Sequence, residues 1–525
     1  MSRNIRKKLL LCVVTVIAML FLCGMSSGDD ANPSGLYSTE RINEYSKWFT
    51  NHVDGYRLMV QNSMEPDMSF SGVRTVLSNE NYTIEIYPQT LAKGVTFGVY
   101  SSYGNLFIEN DPDTYTTRYK GYMVFAGRKA YVLEYSRPAL ANVPHDKCYY
   151  ASVDMPIAKD RVLTFLFKST MPFEQFDSKY YILVLNTLTL EPRTAEAVNR
   201  RTEAVENEWW NEETRALYDA YFGPESGLEW GIFKPGYPYE NVADLQRIEA
   251  ETGHTFRFVL DYAGFGDVGF KRLTALLDNA KRDGRTVELT LQTSALETGN
   301  MVLDTLDGKY DELFNAYARI VAESGAPVLF RLCNEMNGDW CVYSAFHTAK
   351  DTDLYKAFYR YVHRIFEENG ALANTIWIWN PNGRSYPDFA WNDALCYYPG
   401  DEYVDVVGMT AYNTGTYYKS ERWQSFPELY EELYREYDAL FAQPFMITEF
   451  ACSSIGGDKA AWTREMLDTI GQYDRIRLAV WWDGCDYDAG GNVSRPYFID
   501  DTPGVLEAFR DYFAGQAEDR EQADQ

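Results

Sequence analysis

Positive charge is in short supply: 49 Lys and Arg stand against 76 Asp and Glu, a formal net charge of −27. Coulomb repulsion sets such a chain against phosphate backbones and anionic lipid headgroups, so nucleic acid is excluded as an expected partner. The remaining role of the charge is solubility. Cysteine is scarce as well, with eight in 525 residues, and no pair has the CxxC spacing of a zinc site. His347 and His363 stand alone in the sequence, and neither is assigned a role. The expected complement of metals and cofactors is therefore none. Long apolar runs are missing beyond residue 23. The one early run, residues 9–23, follows Arg3, Arg6, Lys7 and Lys8 and is shorter than the ~20 residues of a comfortable membrane span. It matches a signal-peptide core, so residues 1–28 are expected to be an export leader of a secreted or cell-surface protein. Lipidation at Cys23 or an uncleaved anchor are the alternatives, and membrane contact is expected only there.

What is present is aromatic. With 41 Tyr, 29 Phe and 12 Trp the chain is not disordered, and flat rings suit the C–H faces of sugars as well as a core. Its length points to two or three domains. Residues 29–40 read as a polar linker. Residues 41–190 read as a smaller α+β domain with an antiparallel sheet: it opens on a short helix, continues in runs such as Tyr82-Thr-Ile-Glu-Ile-Tyr87, and closes on a helix near 173–190. No catalytic motif lies there, and a spacer or accessory binding module is the expected role. Residues 191–223 read as a connecting helix and 515–525 as a frayed tail. Beyond the leader, Cys148, Cys333, Cys341, Cys396, Cys452 and Cys485 can pair in an oxidising compartment or serve as small apolar fillers.

From residue 224 to 514 the rhythm changes. Short apolar runs alternate with amphipathic helical stretches: 230–233, 256–260, 287–291, 328–332, 376–379, 404–409, 445–447 and 478–482 read as eight strands. Eight strands in roughly 290 residues predict an α/β fold, a (β/α)8 TIM barrel whose usual size is about 250 residues. A doubly wound sheet fits less well, because Lys234-Pro-Gly-Tyr-Pro238 follows the first strand where a Gly-rich phosphate loop would stand. Reacting groups of a barrel sit where strands end. The fourth run continues to Asn334 and Glu335, and the seventh ends in Glu449. Strands three apart face each other across the mouth, compatible with carboxyls about 5 to 5.5 Å apart, the spacing of a retaining glycosidase. One carboxyl must stay protonated and the other ionised, and Arg331 on the fourth strand is placed to hold one of them as an anion.

The segment Arg331-Leu-Cys-Asn-Glu-Met-Asn-Gly-Asp-Trp340 resembles the acid/base segment of glycoside hydrolase family 26. Ile447-Thr-Glu-Phe450 looks like that family's nucleophile strand, and Val404-Asp-Val-Val-Gly-Met-Thr-Ala-Tyr412 like its sixth strand. The likeness spans residues 230–513. It implies Glu335 as acid/base, Glu449 as nucleophile, and Tyr412 as a hydroxyl orienting the nucleophile. The family's mannanases usually carry His where this chain has Asn334, whereas Asn at that place in the wider clan reads the sugar's 2-hydroxyl. The expectation is a retaining endo-β-glycanase, acting as a monomer on polysaccharide, with β-1,4-mannan as first substrate. Mixed-linkage β-glucan or β-xylan is the alternative, and a carbohydrate-binding protein without turnover is a rival of another class. Arg331, Asn334, Trp340, Tyr412, Trp481 and Trp482 are the expected substrate contacts, although of the adjacent pair only one can face the mouth. Trp377 and Trp379 are expected to pack on helices. Gln292, Asn380 and Asn382 are expected to meet sugar hydroxyls or cap loops, and Asp483 to order its tryptophan neighbours or bind a hydroxyl.

Overall fold

The computed structural model describes residues 29–31, 35–173, 179–264, 269–292 and 299–523. The expected leader and Cys23 lie outside them. Among the described residues no helix is long and apolar enough to cross a membrane. The chain divides into two compact units, the first ending at Asn199 and the second holding Arg200–Gln525 together with Leu140–Pro144.

The first unit has two antiparallel sheets, of five and seven strands. In Tyr56–Gln61 every second residue is buried, as a strand with one face on a core requires. Phe49, Leu58 and Val60 of the small sheet join Ile84, Ile86, Val132, Val153 and Phe165 of the large one in a single apolar core. Three boundary expectations are corrected. The expected linker contains strand Tyr37–Arg41, which pairs with Ser46–Asn51, so the sheet begins earlier, and among the described residues no helix precedes it. The closing helix is only Tyr180–Leu185 before Thr189–Leu190 returns to the sheet. Of the expected connecting helix, Glu212–Phe222 is helical, capped by Asn211. Upstream, tertiary hydrogen bonds override helix propensity: Thr202 donates from its backbone to the Leu440 carbonyl, and the Glu203 carbonyl accepts from Gln443.

The second unit is the expected closed barrel of eight parallel strands. These are β1 (Glu229–Phe233), β2 (Phe258–Gly264), β3 (Thr286–Gln292), β4 (Val328–Leu332), β5 (Thr375–Trp379), β6 (Val406–Thr410), β7 (Phe445–Phe450) and β8 (Ile476–Trp482). Alternation sorts their side chains. Leu260, Leu329, Ile376, Ile378, Val406, Met446, Leu478 and Val480 fill the interior. Residues of opposite parity face the helices: Trp377 packs on Phe366 and His363 of helix Thr352–Glu368. The β5–β6 connection carries short 3-10 turns in place of a full helix. The last helix, Val505–Ala523, runs through most of the expected tail, whose Ala, Gln and Glu are good helix formers.

Candidate active site

Glu335 stands three residues past the end of β4, where Cys333 and Glu335 both adopt left-handed backbone, φ 51° and 56°. That region costs a non-glycine residue about 1–2 kcal/mol and persists where surrounding bonds over-determine it. Here the Cys333 N–H donates to the Leu291 carbonyl of β3 at 2.9 Å, and the Glu335 N–H to the Asn380 carbonyl just past β5 at 2.7 Å. The Glu335 carboxyl receives Asn382 Nδ2 at 2.8 Å and Trp340 Nε1 at 3.3 Å. Burial, and then the charge of Glu449, lift it to about 7, outweighing Arg331 and the two donors.

Glu449 lies near the end of β7, and strict alternation would turn it away from the interior because Thr448 already points there. The register shifts at this point: Met409 pairs with Ile447 and the next residue, Thr410, pairs with Glu449. Such a bulge re-aims a side chain. Both Thr448 and Glu449 therefore reach the mouth side, Thr448 donating to Asn380 Oδ1 at 2.9 Å. Glu449 accepts from Arg331 Nη2 at 2.6 Å, Tyr262 Oη at 2.5 Å and Tyr412 Oη at 3.1 Å. Burial and the Glu449 charge push both phenols well above their usual range, so they stay donors. Three donors, one of them a cation, hold the Glu449 carboxyl in place.

Two expected substrate contacts are corrected. Arg331 is fully buried, with its Nε on Thr290 at 2.7 Å and its Nη1 on Asn380 at 2.9 Å. Its donors face protein groups, and it serves Glu449 rather than a sugar. Trp481 is fully buried on the helix side of β8, against Phe450 and Phe509, with its indole N–H on the Tyr497 carbonyl. Trp482, of opposite parity, stacks on Phe233 and donates to Tyr262 Oη at 3.1 Å. Trp340 is 47% exposed beside Tyr386, a free aromatic face next to Glu335. Asn334 is nearly buried and its Oδ1 has no hydrogen-bond partner among the described residues, while Tyr343 holds its carbonyl at 2.6 Å.

The remaining expectations resolve as scaffold. Asn380 ties Arg331, Thr410 and Thr448 together, and Asn382 is fixed by Asn337. Gln292 meets Tyr343, and Asp483 binds Lys234 at 2.6 Å. His363, packed on Trp377, is pushed down to about 4 by burial, and His347 is held by the Asp339 carbonyl. Cys333, Cys341 and Cys452 are free, buried thiols. Sequence reasoning missed Tyr262, because the second strand was expected to stop at Leu260, two residues short. Counting two further from inward-facing Leu260 would have found it.

Residues 260–436 match the model of glycosyl hydrolase family 26. Over that stretch the barrel is similar to family 26. The family 26 region is 31% identical over 296 residues to Endoglucanase H of Acetivibrio thermocellus, which covers 54% of this chain and 30% of that protein. Over 97 residues it is 36% identical to a mannan endo-1,4-beta-mannosidase of Bacillus subtilis, 18% of this chain and 25% of the relative. The chain thus spans about a quarter to a third of the length of these curated relatives. Among solved structures, the catalytic domain of the Bacillus sp. JAMB-750 GH26 endo-beta-1,4-mannanase is 17% identical, with a TM-score of 0.45 over 60% of this chain and 93% of that one. In this barrel one carboxyl keeps its proton to near neutrality while its neighbour is held by a cation and two phenols. Such a pair can give a proton to one atom of a bond while attacking the other.

Proposed function

We propose that this chain is an endo-acting, retaining β-glycanase that hydrolyses β-1,4-mannan or a related plant polysaccharide by double displacement. Glu335 is the acid/base and Glu449 the nucleophile. The observation that carries the reading is the asymmetry of the pair, with Glu335 raised to about 7 and Glu449 held by Arg331, Tyr262 and Tyr412.

In the first step Glu335 gives its proton to the glycosidic oxygen as that oxygen leaves. Glu449 attacks the anomeric carbon and forms a glycosyl ester. Glu335, now a carboxylate, takes a proton from water, which displaces Glu449 and releases a sugar with its original anomeric configuration. Arg331 and the two phenols hold the carboxylate and take up the charge it regains on departure. In this reading Asn334 meets a sugar hydroxyl, and the Trp340 and Trp482 rings support sugar faces, a role that the exposure of Trp340 supports. Secretion, read from the leader, belongs to the same proposal.

A second reading, mixed-linkage β-glucan, is favoured by two observations. Asn334 stands where mannanases of the family carry His, and the relative named an endoglucanase matches 296 residues against 97 for the Bacillus mannosidase. Incubation with mannan, mixed-linkage glucan and xylan separates the readings. Oligosaccharides from mannan support the first, and release only from glucan or xylan rejects it. If Glu335→Gln and Glu449→Gln match the wild type on every glycan, the enzyme reading fails.

A further inference from the structure

One carboxyl sits beside the aliphatic residues of the barrel interior. Glu288 lies in β3 and pairs in register with Leu260 of β2 and Leu329 of β4, both part of the interior apolar cluster. It is wholly buried, and neither carboxyl oxygen has a hydrogen-bond partner among the described residues. Arg331 Nε lies 3.2 Å from its Oε1. A carboxyl in such a place costs several kcal/mol of desolvation that a leucine would not, so stability alone does not account for it. Its contact does: the same guanidinium reaches Glu449 Oε2 with Nη2 at 2.6 Å.

We infer that Glu288 is a positioning residue for the nucleophile, anchoring Arg331 from within the barrel so that the guanidinium is presented to Glu449 in one orientation. The inference rests on the reading of Glu449 given above. The charged and titratable groups around Glu288 and Glu449 are Arg331 from β4, Tyr262 from β2, Tyr412 past β6 and Glu335 past β4. Burial raises Glu288 to about 8, against the pull of Arg331.

Two variants of the full chain test this. Glu288→Leu keeps the interior filled and releases Arg331, so kcat at pH 6 falls about tenfold or more while KM stays within about twofold. Glu288→Gln keeps an oxygen facing Arg331 Nε and restores kcat to within about threefold of wild type. In parallel, 13C-carboxyl NMR follows the titration of Glu449: its midpoint rises in Glu288→Leu and returns in Glu288→Gln. Should Glu288→Leu not fold, Glu288→Asp withdraws the carboxyl by one methylene and is read the same way. A folded Glu288→Leu with unchanged kcat and an unmoved Glu449 titration overturns the inference. If the wild type hydrolyses no glycan, the functional reading fails while the titration still decides whether Glu288 governs Glu449 through Arg331.

Discussion

Two carboxyls of one barrel mouth differ because their neighbours differ. Glu335 has an amide and an indole as donors and feels the charge of Glu449, whereas Glu449 has a guanidinium and two phenols. A proton donor must be protonated to act, so kcat/KM of the wild type should fall as pH rises past about 7, where Glu335 loses its proton. In Glu335→Gln, residual turnover should lose that alkaline limb, which a pH–rate profile reads. Tyr262→Phe removes the phenol 2.5 Å from Glu449. A hydrogen bond to a charged group contributes about 1.5–3 kcal/mol, so kcat/KM should drop by about ten- to a hundredfold with the fold intact by circular dichroism. At this scale the glutamates were legible because a Glu at a barrel-strand exit is conspicuous. Arg331 was read both as a partner of a carboxyl and as a sugar contact, and the structure shows the first; of the tryptophan pair the sequence left open which faces the mouth. Type and position along a strand do not say whether a side chain's partners are protein or solvent, and in both cases burial decided it.

Strands one by one were readable from apolar runs, and β4 was read to the residue. What the runs do not carry is local irregularity. The bulge in β7 turns Glu449 to the mouth, and the left-handed turn after β4 aims Glu335 there; both arise from hydrogen bonds to neighbouring strands that no single segment encodes. The Asn380 bracket is their shared support, and Gly408 of β6 is what leaves room for it. A Cβ at Gly408 would stand 2.7 Å from Asn380 Cβ and 2.8 Å from Thr448 Cγ2. Gly408→Ala should therefore cost about 1–3 kcal/mol in urea unfolding and lower kcat by displacing Asn380 from Arg331 and Thr448. The same logic explains the misread boundaries in the first unit. Polar residues 37–41 carry little strand signal and become strand by pairing with Ser46–Asn51.

At the scale of the whole molecule the family match lies within the second unit, whose start at Arg200 precedes the change of rhythm near residue 224. Composition told little about how the barrel bears its buried charge. Glu288 and Glu335 have folded-state values of about 8 and 7 against an ordinary 4.5. Below 4.5 both are protonated in folded and unfolded chains and have no effect. Above it the unfolded chain releases protons that the folded one keeps, so global stability falls as pH rises from about 4.5 to about 8. Glu288→Gln removes one such group. Between pH 5 and pH 9 its stability relative to wild type should improve by a few kcal/mol, on the order expected for a shift of several pKa units, as thermal unfolding across that range measures.

The double displacement itself is open to direct trapping. The enzyme is incubated with 2-deoxy-2-fluoro β-glycosyl fluorides of the manno and gluco series and digested, and the peptides are mapped by mass spectrometry. One fluorosugar should be found on the peptide bearing Glu449, and none on Glu449→Gln. A label on another residue, or an enzyme that turns over its glycan yet never acquires one, would refute the mechanism.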